Sequence, residues 1–205
     1  MQLTHRRIIA SAMEFIERGG ASPLTMRQLA TELGVSLAVL YHHAPSRSEL
    51  LEEIAAVLLT GLPAGDGADG WAAQIAALAR SFRQVVTGRP RCSLLLARRT
   101  GTAFVSTAPV ATALVSLREA GFCELASQRI AGAVAAYILG SQLCATELAS
   151  DTREPFSTAQ FPRSECLASP SLAAGQEADV EFVIDLLLRG AASWLAASAS
   201  ARAAP

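Results

Sequence analysis

The residues best suited to chemistry are scattered along the chain. His42 and His43 are adjacent, and cysteines stand at 92, 123, 144 and 166. Neighbouring side chains on a helix point about 100° apart, so the histidine pair does not converge on one metal ion. Cys92, Cys123, Cys144 and Cys166 form no C-x-x-C pair, and none has a histidine at zinc-ligand spacing. No metal and no cofactor is expected. Gly65-Asp66-Gly67-Ala68-Asp69-Gly70 fits G-x-G-x-x-G. A dinucleotide site, however, needs a strand before that motif and a parallel sheet beneath the helix after it. Here a helical pattern precedes it, and two aspartates would repel a pyrophosphate. The segment reads as a linker. No serine, cysteine or histidine constellation for nucleophilic catalysis is visible. The chain reads as a binding protein, not an enzyme.

What it binds is suggested by Thr25 to His43. Thr25 can cap a helix, and Gln28 stands where it completes a capping box. That helix ends near Leu33-Gly34, and Gly34 suits a sharp turn with positive φ. Ser36 can cap a second helix running to His42, which Pro45 terminates. Two short helices joined by a glycine-containing turn of about three residues are the sequence form of a helix-turn-helix. Ala30 is small where the helices cross, and Val35 and Leu40 anchor the second helix. Its outer face is left free for a major groove.

The surrounding elements must hold that unit. A helix over about 4–18 carries Ile8, Ala12, Phe15 and Ile16 on one face and stops at Gly19-Gly20. Ser46 with Glu49 makes a second capping box and opens a helix to about Leu62. After the break at 63–70, helices are expected at about 71–87, 91–99, 107–120, 124–148 and 177–199. Residues 150–175, with three prolines and no long apolar period, read as a long loop. The fold class is all-α, with a three-helix helix-turn-helix domain expected over 1–46 and a further helical domain over 47–205.

Composition agrees. The chain has 205 residues, 51% of them hydrophobic, and alanine dominates, which favours helix. The formal net charge is −1, so DNA binding must come from a local patch. Met1 to Arg7 leads into a helix carrying Glu14 and Glu17, not a signal peptide. The longest apolar stretch, Ala131 to Gly140, is too short for a bilayer. A cytoplasmic location with reduced thiols and no membrane partner is the expectation.

Gly34-Val35-Ser36, then Leu40-Tyr41-His42-His43, then Ser46-Arg47 before an apolar helix together resemble the tetracycline-repressor (TetR) family, over nearly all of residues 5–60. That resemblance implies a homodimer on a palindromic DNA operator, released by a small molecule. It implies that Tyr41, His43 and Arg47 hold phosphates, that Thr25 adds another contact, and that Arg27 reaches a base, its fork being suited to guanine. Ser36, Leu37, Ala38, Val39 and His42 complete the expected DNA-facing set. Leu37, Ala38 and Val39 can read thymine methyls but cannot hydrogen-bond a base edge, so DNA shape should contribute.

The resemblance continues more weakly through Trp71, Ser81-Phe82-Arg83, the Arg118–Phe122 turn and Tyr137-Ile138-Leu139-Gly140. It implies dimerisation through the helices near 124–148 and 177–199. The last of these carries Val180, Val183, Ile184, Leu187, Leu188, Ala191 and Leu195 on one wide face. Where the tetracycline-binding repressor holds its magnesium chelate through histidine, glutamate, asparagine and histidine, this chain has Leu96, Cys144, Leu78 and Pro63. Only a phenylalanine, Phe82, is kept. A chelate would lose its attachment. An apolar effector is expected instead, walled by Leu78, Phe82, Leu96, Leu114 and Leu139, with Gln142 and Arg99 as polar anchors. An activator, or a DNA-binding protein blind to ligand, is the alternative reading.

Overall fold

The computed structural model describes residues 3–19, 24–62, 70–97, 108–150 and 177–203. Among these there are helices and no strands. The helices are α1 (His5–Arg18), α2 (Met26–Leu33), α3 (Leu37–His43), α4 (Arg47–Thr60), α5 (Gly70–Gly88), α6 (Pro90–Ala97), α7 (Ala108–Glu119), α8 (Glu124–Ser150) and α9 (Glu177–Ala203). The sequence reading placed each of them, with ends displaced by up to four residues. Ser150 ends α8; the expected long loop after it lies outside the described residues, as do most of the linker glycines and Gly20.

Each start has a local cause. The hydroxyl of Thr4 accepts the Arg7 N–H at 3.4 Å and opens α1. The Thr25–Gln28 capping box is complete: Oγ1 of Thr25 accepts the Gln28 N–H at 3.2 Å, and the Thr25 N–H donates to Gln28 Oε1 at 3.1 Å. At Ser46 only half of the expected box is formed. Its hydroxyl accepts the Glu49 N–H at 3.1 Å, while the Glu49 residue is exposed. Gly34 closes α2 at φ 67°, with its N–H on Thr31 O and the Val35 N–H reaching back to Ala30 O at 3.0 Å. That is a Schellman closure, and its left-handed residue favours glycine.

The core runs without interruption from head to body. In α1, Ile8, Ile9, Ala12 and Met13 are buried, and Phe15 and Ile16 pack half-buried beside them. Leu29, Leu40, Leu50 and Ile54 join them from α2, α3 and α4. The same cluster continues through Ile75, Phe82, Val86, Leu117 and Ile138. Helix α4 touches α1 on one side and α5 and α6 on the other, so the expected border at Arg47 begins a shared helix and not a linker. α5 lies against α6, α7, α8 and α9 and forms the axis of the body. Phe122, just after the Gly121 turn, bridges Trp71 of α5 at 5.1 Å and Trp194 of α9 at 6.0 Å between ring centroids.

Candidate nucleic-acid interface and effector site

The turn of residues 34–36 sets α3 against α2 with Leu40 fully buried and Leu37 half-buried in the core. Ser36 caps α3, its hydroxyl accepting the Val39 N–H at 3.3 Å. What α3 leaves outside is Ala38, Val39, Tyr41 and His42, with Val39 and Tyr41 each 44% exposed. An α-helix with such a face fits a B-DNA major groove about 12 Å wide. Leu37 is only half-buried, and its packed part anchors the helix. His43 is half-buried, and its ring meets that of His42 edge-on at 5.4 Å. All three histidines of the chain lie at or before residue 43.

Donors flank the helix. Arg27 is exposed on α2, and Thr25 is exposed at its start. The Thr25 hydroxyl already donates to Gln28 Oε1 at 2.7 Å; to donate to a phosphate it must turn away from that partner. Arg47 is exposed, but its Nε donates to the Leu24 carbonyl at 2.6 Å. The two terminal nitrogens of its fork remain for an anion. The sequence reading missed this second task, because nothing local couples residues 24 and 47. Arg18 pairs with Glu32 and ties α1 to α2.

On the body side the expected wall residues do not all meet. Leu78 and Phe82 share a cavity of about 20 Å³ with Ile75, Ala79, Ala131, Val134 and Ala135, between α5 and α8. Leu96 and Leu139 are buried in the core, Leu114 packs half-buried against it, and none of the three lines that cavity. Gln142 is half-buried on α8 and makes an interaction of its own. Arg99 and Pro63 lie outside the described residues. A drug-sized ligand needs some 300–1,000 Å³, so this space has to open to admit one. The described residues contain no group of three or more histidine, cysteine or acidic side chains placed for a metal.

A larger space lies at the junction of head and body. A groove of about 750 Å³ runs between α1, α4 and α5, floored by Ile9, Met13, Leu58 and Val85. At its edge His5 of α1 approaches Glu53 of α4, Nε2 to Oε2 at 2.9 Å. No local pattern points to the groove, since it arises where three helices from separate segments diverge.

The last helix departs from expectation in detail. Val180 and Ile184 are buried, and Val183, Leu187, Leu188, Ala191 and Leu195 are half-buried. All but Val183 belong to this chain's own core or pack against it. The residues left bare are others: Phe182 at 68%, Leu186 at 57% and Trp194 at 50% exposure. Leu125 and Leu143 of α8 are exposed as well. Ala178–Ser200 has a mean hydropathy of 1.4 and is long and apolar enough to cross a membrane by length and composition. Among the described residues α9 is the one helix that meets this test, and the apolar stretch 131–140 of α8 does not.

The family model described as "Bacterial regulatory proteins, tetR family" matches residues 8–54, and "Tetracyclin repressor-like, C-terminal domain" matches residues 62–190. An HTH-type transcriptional regulator of Saccharopolyspora erythraea is 28% identical over 142 residues, 68% of this chain and 59% of that one. The chain spans less than two thirds of the length of the curated relatives it matches. Among solved structures, a possible TetR family transcriptional regulator from Streptomyces coelicolor A3(2) superposes with a TM-score of 0.77. It is 24% identical, over 93% of this chain and 99% of that one, a likeness of fold alone. BioQ with its double-stranded DNA operator is 28% identical, with a TM-score of 0.61, covering 85% and 100% of the two chains.

Proposed function

The chain belongs to the tetR family of bacterial regulatory proteins, and on that premise we propose that it is a homodimeric transcriptional repressor that a small apolar effector releases from a palindromic operator. The observation that carries the reading is the exposed face of α3, with Ala38, Val39, Tyr41 and His42 outward and Arg27 and Arg47 on either side in sequence. BioQ, similar over most of this chain, was solved on its operator, which supports DNA binding by this chain. Tyr41, His43 and Arg47 hold phosphates, and Thr25 joins them when its hydroxyl turns outward. Arg27 contacts a base edge, and the apolar start of α3, with Ser36 at its cap, reads methyl groups and groove shape. The protein has no catalytic task and works in the cytoplasm.

One recognition helix reads only a few base pairs, so two-fold symmetry doubles the site. The bare apolar side chains of α8 and α9 supply the contact between chains. Phe182, Leu186 and Trp194 are too many large apolar groups to leave in water on one helix, and a second copy covers them in a four-helix contact. Residues 1–46 are the reading head, and 47–205 carry effector and partner.

The effector enters between α5 and α8 by parting Leu78 and Phe82 from Val134, and an apolar lining selects an apolar ligand. Leu114, Leu139 and Leu96 become walls as the space widens, with Gln142 and Arg99 orienting the molecule. Leu96, Cys144, Leu78 and Pro63 offer a magnesium chelate no ligands, so tetracycline is not the effector. A second reading of the effector site is favoured by volume: the junction groove is already large enough for a ligand. The experiment that tests the function is selection of duplex DNA from a random pool by the purified protein. A palindromic consensus bound by two chains is the expected result, and recovery of random sequence refutes the proposal.

A further inference from the structure

Helix α6 begins on Pro90, which has no N–H to leave unsatisfied. The Ser93 N–H donates to the Arg89 carbonyl at 2.9 Å. That leaves two donors of the first turn, and one carboxylate takes both. Oε1 of Glu17 accepts the Cys92 N–H at 2.8 Å, and Oε2 accepts the Arg91 N–H at 3.4 Å. In return Nη1 of Arg91 donates to the Glu17 carbonyl at 2.9 Å. That carbonyl is among the last four of α1, which have no partner within their helix. Each helix thus supplies the cap the other lacks. Each charge also sits at the helix end that favours it, the carboxylate at an N-terminus and the guanidinium at a C-terminus. Beneath them the fully buried Cys92 thiol donates to the Met13 carbonyl at 3.5 Å.

We propose that Glu17 and Arg91 form a clasp that carries the position of α6 in the body to α1 in the head, and so holds the two heads of the dimer at operator spacing. This rests on the regulator reading above. Besides α1 and α4, α6 touches α5 and α8, which line the effector cavity, and besides α6, α1 touches α2 and α4. Hydrogen bonds to a charged group are directional and stronger than neutral ones. A displacement of α6 therefore drags α1 or opens the clasp. Either event changes how the head sits on the body. Glu17 is a positioning residue, and it is set back from the exposed face of α3.

The test uses the full chain, a palindromic duplex selected in vitro with the wild type, and a duplex carrying one half-site. Glu17→Ala should weaken binding of the palindrome on the order of tenfold or more. Glu17→Gln, which keeps one neutral acceptor, should fall between. Binding to the half-site, which engages a single head, should be unchanged. Equal losses on both duplexes would mean a general folding defect and would overturn the clasp. A second measurement needs no DNA: iodoacetamide modification of Cys92, followed on its own peptide by mass spectrometry. Cys92 should react slowly in the wild type and faster in Glu17→Ala, and equal rates would also overturn the proposal. Should selection recover no duplex, the regulator reading fails, while the Cys92 rates still decide whether the clasp exists.

Discussion

Arg47 donates its Nε to the Leu24 carbonyl at 2.6 Å, so the first residue of α4 is fastened to the segment that precedes α2. The same guanidinium is proposed to meet a phosphate. Arg47→Lys keeps the charge and loses the fork, so it separates the two tasks.

Arg47→Ala should weaken binding to every duplex and lower the slope of log affinity against log salt by about one. Arg47→Lys should keep most of that slope but lose affinity through a less well fixed α4. Fluorescence titration over a range of salt concentrations reads both quantities. An unchanged slope in Arg47→Ala would remove Arg47 from the phosphate set.

The turn of the reading unit rests on Gly34 at φ 67°. No atom crowds a Cβ there, so the cost of Gly34→Ala is conformational alone, about 1–2 kcal/mol. Denaturant unfolding should show that loss, with DNA affinity reduced because α3 is re-aimed. A stability equal to wild type would mean the backbone relaxes out of the left-handed region.

The helix-turn-helix was legible because its signals are local. Thr25, Gln28, Gly34 and Ser36 are caps and turn residues whose chemistry acts within five positions. The faces of α9 were not legible. Val180, Ile184 and Leu187 repeat at helical spacing, but so do Phe182 and Leu186, and periodicity does not say which stripe meets this chain and which is left bare. The clasp was invisible for a similar reason. Glu17 and Cys92 are 75 residues apart, and nothing near either one names the other. Leu78 and Phe82 do share a cavity, one turn apart on α5. Leu96, Leu114 and Leu139 come from three other helices whose packing no local pattern fixes.

Phe182→Asp with Leu186→Asp should leave the chain folded, since both side chains face outward, and should abolish dimerisation. Light scattering is expected to give twice the chain mass for the wild type and a single chain mass for the variant. A variant that stays dimeric would put the contact elsewhere. A wild type that is monomeric at micromolar concentration would remove the dimer.

Two substitutions separate the effector sites. Leu78→Trp fills the space between α5 and α8, and Val57→Trp fills the junction groove. Release of operator-bound protein by a panel of apolar natural products should be blunted by Leu78→Trp and left intact by Val57→Trp. The reverse pattern would move the effector to the groove. Magnesium–tetracycline should release neither, and release that a chelator abolishes would contradict the missing ligand set.

Burial, then the neighbouring Glu17 carboxylate, pushes the Cys92 thiol up from an ordinary 9.0 to about 12. A raised thiol pKa means the folded state holds its proton longer than the unfolded chain does. Its contribution to stability is therefore complete below pH 9 and is lost as pH rises towards 12. Thermal melts should show the wild type losing more stability than Cys92→Ala across that window. Parallel curves would mean the thiol is not held as the structure has it.

The proposed function has α3 and its flanking arginines read a specific duplex. The affinity of wild type and Arg27→Ala for the selected palindrome and for random DNA at one fixed salt concentration tests this. Tight, selective binding by the wild type is expected, with a loss of about 1–3 kcal/mol in Arg27→Ala on the palindrome only. Equal affinity of the wild type for palindrome and random DNA would contradict it.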